Sequence, residues 1–206
     1  MSLHQLISEG EHQQQDFKHS ITNQKKIAIT LSAFANTDGG RLLIGIKDSG
    51  RIVGVHVEDE MHMIEGAAEV FCRPEVEYSF RVFKEKGKHV LEVNIPPSST
   101  KPHLAKSDEG KWLAYLRVED ENFLSDPVLL QYWRDSKVTS KTFIKYEDED
   151  KQILELLETN PVITYKELAK YSKLPRPKII HALAKLLRWG IIDYQVDEKG
   201  IYYSLL

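Results

Sequence analysis

The chain has 206 residues, 41% hydrophobic and 29% charged, with a formal net charge of −3. That length admits two units at roughly 100–200 residues per domain, and the slightly acidic balance excludes coating of nucleic acid by bulk charge, so any such contact needs a local basic patch. The single cysteine, Cys72, excludes an internal disulfide and a cysteine-clustered zinc site. No apolar run approaches the ~18 residues of a membrane span and the N-terminus lacks a signal-peptide pattern, so a cytoplasmic protein with no membrane partner is expected.

In chain order, "QQQDFK" reads as a short strand. Residues 23–36 place Ile27, Leu31, Phe34 and Ala35 at helical spacing, with Thr22 as the cap and Gly39 and Gly40 as the stop. "RLLIGIKD" and "RIVGV", joined by "DSG", read as a β-hairpin. A helix follows over 58–72, ended by Pro74, with Cys72 as a buried thiol in its last turn. "EVEYSFRVF" and "HVLEVNIP" alternate around "KEKGK" as a second hairpin. The loop "PPSSTKPHLAKSDEG" leads to the strand "KWLAYLRVE", and Asp126 and Pro127 open the helix "DPVLLQYWRDS".

The pattern predicts a first domain over 1–136, a linker over 137–146 and a second domain over 147–206. The second reads as three helices and a β-hairpin, the outline of a winged helix-turn-helix. In its third helix, Ile179, Leu183, Leu186 and Leu187 form a core face, and Lys178, His181, Lys185 and Arg188 form a basic stripe. Arg176 stands at the end of that helix that reaches base edges in a recognition helix. From residue 151 onward nine Lys or Arg outnumber six Asp or Glu, an excess that the "EDED" of 147–150 reverses. That acidic run suits the positive end of the helix it begins.

The glycine-rich stretch is no nucleotide loop. Gly45 and Gly50 have Walker spacing, but Arg51 and Ile52 stand where Lys and Ser or Thr are needed, and the dinucleotide pattern is missing. ATP is therefore not expected as a cofactor. No paired-histidine metal motif with an adjoining glutamate and no Gly-x-Ser-x-Gly elbow is present.

"EGEHQQQDFK", "AFANTDGGRLLIGIKDSGRIVGV", "PPSSTKPHLA" and "AYLRVEDENFLSD" resemble, in order and spacing, the AlbA_2 domain of the Schlafen family over about residues 8–130. The resemblance implies an α+β fold with a mixed sheet, here followed by a winged helix, and binding of DNA or RNA, as in bacterial proteins that look like transcriptional regulators. It also implies an alternative, a metal-dependent endoribonuclease whose acidic trio matches Glu11, Asp16 and Asp48. Mg²⁺ or Mn²⁺ would then be the cofactor, since hard cations prefer carboxylate oxygens; otherwise no cofactor is expected. Asp16 stands where the pattern shows Glu, one methylene shorter. Five positions separate it from Glu11, so Glu11 must precede the strand if the two carboxylates are to converge.

Candidate phosphate contacts in the first domain are Lys18, Lys25, Lys26, Arg41, Lys47, Arg51, Lys101, His103 and Arg117. Lys18, Lys101 and Arg117 match the family's segments. Arg117, on a strand, must face either solvent or an internal acid. A protein-docking or dimerisation module without nucleic acid is a third reading, consistent with the acidic net charge, and homodimerisation is a habit of winged-helix proteins.

Overall fold

The computed structural model describes residues 1–137 and 145–206 and divides into two units, Met1–Leu124 and Ser125–Leu206. Most of the expected linker, residues 138–144, lies outside the described residues.

The first unit begins with a helix that the sequence pattern did not suggest, α1 (Leu3–Glu9), opened by a Ser2/Gln5 capping box. After β1 (Gln15–Lys18) comes α2 (Gln24–Asn36), capped by Asn23, whose side chain accepts from the Lys25 and Lys26 amides; the expected cap, Thr22, stands one residue too early. Then follow β2 (Gly40–Ile44), α3 (Val57–Val70), β3 (Cys72–Arg73), β4 (Ser79–Glu85), β5 (Lys88–Ile95), β6 (Leu104–Lys106), β7 (Trp112–Val118) and β8 (Glu121–Leu124). One sheet has the order β1-β2-β5-β4 and the other β3-β6-β7-β8. The β1–β2 pair is parallel, which needs a crossover, and α2 supplies it.

α2 is buried on nearly every side, packing against α3 and β5 and against β6 and β7 of the second sheet. Ile27, Leu31 and Phe34 join Leu42, Ile44, Ile64, Leu91 and Val93 in the main core. Its polar residues are satisfied internally. Asn36 Nδ2 donates to the His103 carbonyl at 2.8 Å and the Tyr115 carbonyl at 2.9 Å, and Asn36 Oδ1 accepts from the His103 amide at 2.8 Å. Ser32 Oγ donates to the same His103 carbonyl at 2.7 Å. α1 closes a smaller cluster of Leu3, Leu6, Phe17, Leu43, Ile46 and Val90.

The run Gln13–Gln15 pins three different segments. Gln13 Nε2 donates to the Arg117 carbonyl, Gln14 Nε2 to that of Asp38, and the fully buried Gln15 to those of Leu6 and Gly10. At the end of α2 the glycines have steric reasons. Gly39 has φ +71°, and a Cβ on Gly40 would lie 2.5 Å from the Phe34 ring.

Three local readings are corrected. The "DSG" hairpin reduces to one bridge, Ile46 to Ile52, because both edges of β2 are already taken by β1 and β5. The loop over 96–110 contains β6, and Cys72 sits in β3 rather than in a helix. The Cys72 thiol is nevertheless buried, donates to the Ala28 carbonyl, and is pushed by burial up to about 12.

The second unit comprises α4 (Pro127–Ser136), α5 (Asp148–Thr159), β9 (Ile163–Thr164), α6 (Tyr165–Tyr171), α7 (Arg176–Arg188), β10 (Ile192–Asp197) and β11 (Gly200–Leu205), with sheet order β10-β11-β9. Asp126 and Pro127 open α4 as expected, but its packing is with α7, burying Val128, Leu129 and Trp133. The division therefore falls after Leu124, ahead of the expected boundary, because the apolar face of α4 is covered within the second unit. Asp126 Oδ1 caps the Leu129 amide, and both its carboxylate oxygens accept from the hydroxyl of the fully buried Tyr203, at 2.8 and 3.0 Å.

Asn36→Ala takes their partner from the Tyr115 carbonyl and the His103 amide, while the His103 carbonyl keeps Ser32, at about 1–3 kcal/mol for each group left unpaired. Urea unfolding followed on the first unit is expected to lose about 3 kcal/mol; a loss below about 1 kcal/mol would contradict the role given to this side chain. Tyr203→Phe removes one charge-assisted hydrogen bond and is expected to cost about 1.5–3 kcal/mol in the second unit, read from its thermal unfolding.

Candidate nucleic-acid interface

β1 carries the acidic and basic candidates together. Glu11 precedes β1, as convergence with Asp16 requires, and its Oε1 accepts the Phe17 amide at 2.9 Å. Asp16, 4% exposed, is held by Lys18 at 2.6 Å and by Arg117 at 3.3 Å. Arg117 is itself 3% exposed, reaches Asn122 Oδ1 at 3.2 Å, and lies over the Phe34 ring at 5.2 Å. Of its two alternatives Arg117 takes the internal acid. It is a tie between β7, β1 and α2, not an open phosphate contact.

Burial raises the Glu11 carboxyl above its ordinary 4.5; the Phe17 amide and Lys18 oppose this, and the neighbouring Asp16 adds to it. Asp48 does not join the pair. It is exposed in the tight turn between Lys47 and Arg51, beyond the end of β2, whereas Asp16 lies opposite Leu42 within that strand pair. Among the described residues no three His, Cys, Asp or Glu side chains group closely enough to share a metal ion. Two of the three carboxylates meet, but the set does not fit a three-carboxylate metal centre, and one of the two is already neutralised by Lys18 and Arg117.

Lys18, Lys26 and Arg117 line one cleft of about 290 Å³ with Asp16, Thr30 and Asn122. Lys18 is about one-third exposed and Lys26 exposed, so these two can meet a phosphate there. Thr30 and Asn122 escaped the sequence reading. Asn122 lies directly opposite Arg117 in the β7–β8 register and donates to Thr30 Oγ1 at 3.0 Å. It lies on a strand of only four residues, too few for periodicity to mark it in the sequence.

The other first-unit candidates are dispersed. Lys25 is 3.9 Å from Asp108. Arg41 borders a separate cleft of about 450 Å³, opposite Asn94 in the β2–β5 register. Lys47 and Arg51 are exposed at the turn. Lys101 is half-buried, donates to the Thr37 carbonyl at 3.3 Å, and is lowered by that burial against the pull of Asp38. His103 is buried, with its ring nitrogens on Ser98 Oγ and the Pro74 carbonyl, which makes it structural.

In the second unit α7 has the core face expected of it, with Ile179, Leu183, Leu186 and Leu187 buried. The opposite face divides. Lys178 pairs with Glu149, and Lys185 with Asp150 at 2.6 Å and Glu147 at 3.3 Å. Arg176, His181 and Arg188 are exposed and have no ion-pair partner among the described residues. The basic stripe is thus real in placement and half neutralised in charge.

Three helices followed by a β-hairpin, with the third helix exposing a basic edge, define a winged helix-turn-helix, here joined to a mixed-sheet α+β unit. The sequence matches the Schlafen AlbA_2 family over residues 11–124, more than half of the chain, and the protein belongs to that family. Residues 149–193 match the winged helix-turn-helix DNA-binding family. Similar solved structures include a Corynebacterium diphtheriae protein, 18% identical with a TM-score of 0.47 over 92% of this chain. This chain spans 34% of that protein's length. The N-terminal domain of a RecG-related protein from Nitrosomonas europaea is 20% identical, with a TM-score of 0.42, covering 72% of this chain and 96% of that domain. No curated protein sequence matches the chain. Among the described residues no helix is long and apolar enough to cross a membrane.

The raised Glu11 carboxyl predicts a pH effect. The folded state holds this proton more tightly than the unfolded chain, so the contribution to stability is complete below 4.5 and is lost as pH rises through the raised value. Glu11→Gln keeps an acceptor for the Phe17 amide and removes this component. The stability of wild type relative to this variant should therefore fall as pH rises above 4.5 in urea titrations; a constant difference would contradict the assignment.

Proposed function

We propose that the protein binds duplex DNA through α7 and regulates transcription, without an enzymatic step of its own. The observation that carries this reading is the exposed basic edge of α7, without an ion-pair partner among the described residues: Arg176 at its start, His181 in its middle and Arg188 at its end. Positions 181 and 188 are seven residues apart, two helical turns on one face, and Arg176 stands at the end that approaches base edges. Lys18 and Lys26 in the β1 cleft supply a second place for backbone phosphate. Arginine suits both tasks because its planar fork pairs with phosphate or guanine in two-point contacts.

Fluorescence anisotropy with a labelled duplex should show binding that weakens steeply with salt, as released counterions require. Arg176→Ala combined with Arg188→Ala should weaken it ~10-fold or more and flatten the plot of log K against log salt by about two, at ~0.9 for each phosphate no longer neutralised. Unchanged binding would remove α7 from the interface, and no binding at about 50 mM salt would overturn the reading.

The meeting of Glu11 with Asp16 is the one observation favouring a metal-dependent endoribonuclease. Incubation with structured RNA and Mn²⁺ decides between the two: no cleavage is expected, and cleavage that disappears in Glu11→Gln would replace the present proposal. The protein-docking reading draws on the neutralised half of the α7 stripe, and sedimentation reports whether its partner is a second copy.

A further inference from the structure

The pairing between α5 and α7 goes beyond what helix capping requires. Acids in the first turn of a helix are favoured by its dipole wherever they point. Here three of the four acids of 147–150 also meet lysines of α7: Glu149 meets Lys178, and Glu147 and Asp150 meet Lys185. The two lysines are seven residues apart, so both lie on the face that carries His181, and they border with it a cleft of about 410 Å³.

The two pairs are of different kinds. The Lys185 side chain is 15% exposed, its main partner Asp150 is fully buried, and its ammonium lies 5.3 Å from the Trp189 ring centre, so it is a fixed tie. Lys178 is 57% exposed with one partner, Glu149, itself 25% exposed. Exposed pairs of this kind are weak and salt-screened, so Lys178 can exchange Glu149 for another anion.

We propose that the acidic start of α5 is an intramolecular competitor for nucleic-acid phosphate: Glu149, supported by Glu147, occupies the cation that α7 would offer a duplex, and binding by this face proceeds by exchanging Glu149 for a phosphate on Lys178. The inference rests on the reading of α7 as a DNA-facing helix. It assigns the acidic run the role of holding that helix's affinity down.

The test compares two variants of equal charge change in the full chain. Glu147→Gln with Glu149→Gln removes the competitor and leaves an acceptor for the Asp150 amide in the cap. Glu155→Gln with Glu158→Gln removes two exposed acids of α5 that lie away from α7 by helical phase. In anisotropy with a labelled duplex, the first variant should bind ~10-fold tighter, with a salt dependence steeper by about one, and the second should change ~2-fold at most. Adding Lys178→Gln to the first variant should abolish the gain. Equal shifts in both variants, or a gain that survives Lys178→Gln, would overturn the competitor. Wild-type binding unaltered by the first variant defeats this inference alone; absence of binding by every protein defeats the DNA reading with it. Glu149→Gln alone, which touches no cap, repeats the measurement should circular dichroism show loss of helix in the double variant.

Discussion

Nearly everything in the first unit depends on the burial of α2 between two sheets. A helix covered on both sides cannot leave its polar groups to water, and the burial is tolerable because Asn36 and Ser32 direct their hydrogen-bonding capacity to the backbone around His103 and Tyr115. With the helix fixed, the Phe34 ring lies close enough to the following strand that only glycine fits at position 40. The same ring lies beside the Arg117 guanidinium, which in turn pairs with Asp16. The polar cluster at β1 is thus built outward from the last turns of one helix.

Elements with a local signature were legible in the sequence. α2, the β4–β5 hairpin, α4 with its Asp-Pro start, and the three helices and wing of the second unit all announce themselves through periodicity, turn residues or caps. The elements that escaped, α1, β3, β6, β8 and β9, are at most seven residues long, too short to establish a period. The presumed hairpin after Gly45 failed for a different reason. Branched apolar residues signal a strand but not its partner, and β2 takes both of its partners from distant segments, β1 and β5.

The candidate site was legible by residue type and far less by pairing. Helical spacing correctly placed Lys178, His181, Lys185 and Arg188 on one face, yet that spacing concerns a single helix, and the charges that answer two of them begin another helix about thirty residues earlier. Likewise nothing in "QQQ" reveals that three successive glutamines hold three separate segments, because each partner is a backbone carbonyl, which every residue supplies. Family resemblance set Glu11 and Asp16 in one acidic group, and the fold places the two side by side. The resemblance could not report that Asp16 would be occupied by two cations, since that depends on which way a buried arginine turns.

The carboxylate of Asp126 serves the first turn of α4 and the Tyr203 hydroxyl at once, joining the start of the second unit to its last strand. A winged helix excised at the acidic run of 147–150 would leave Tyr203 without this partner and uncover the apolar side of α7 that α4 shields. The transferable module therefore begins at Ser125. Fusions and truncations that respect that point keep α7 on its own foundation, whereas a cut at the more obvious change in composition would leave its α4-facing apolar side open to aggregation.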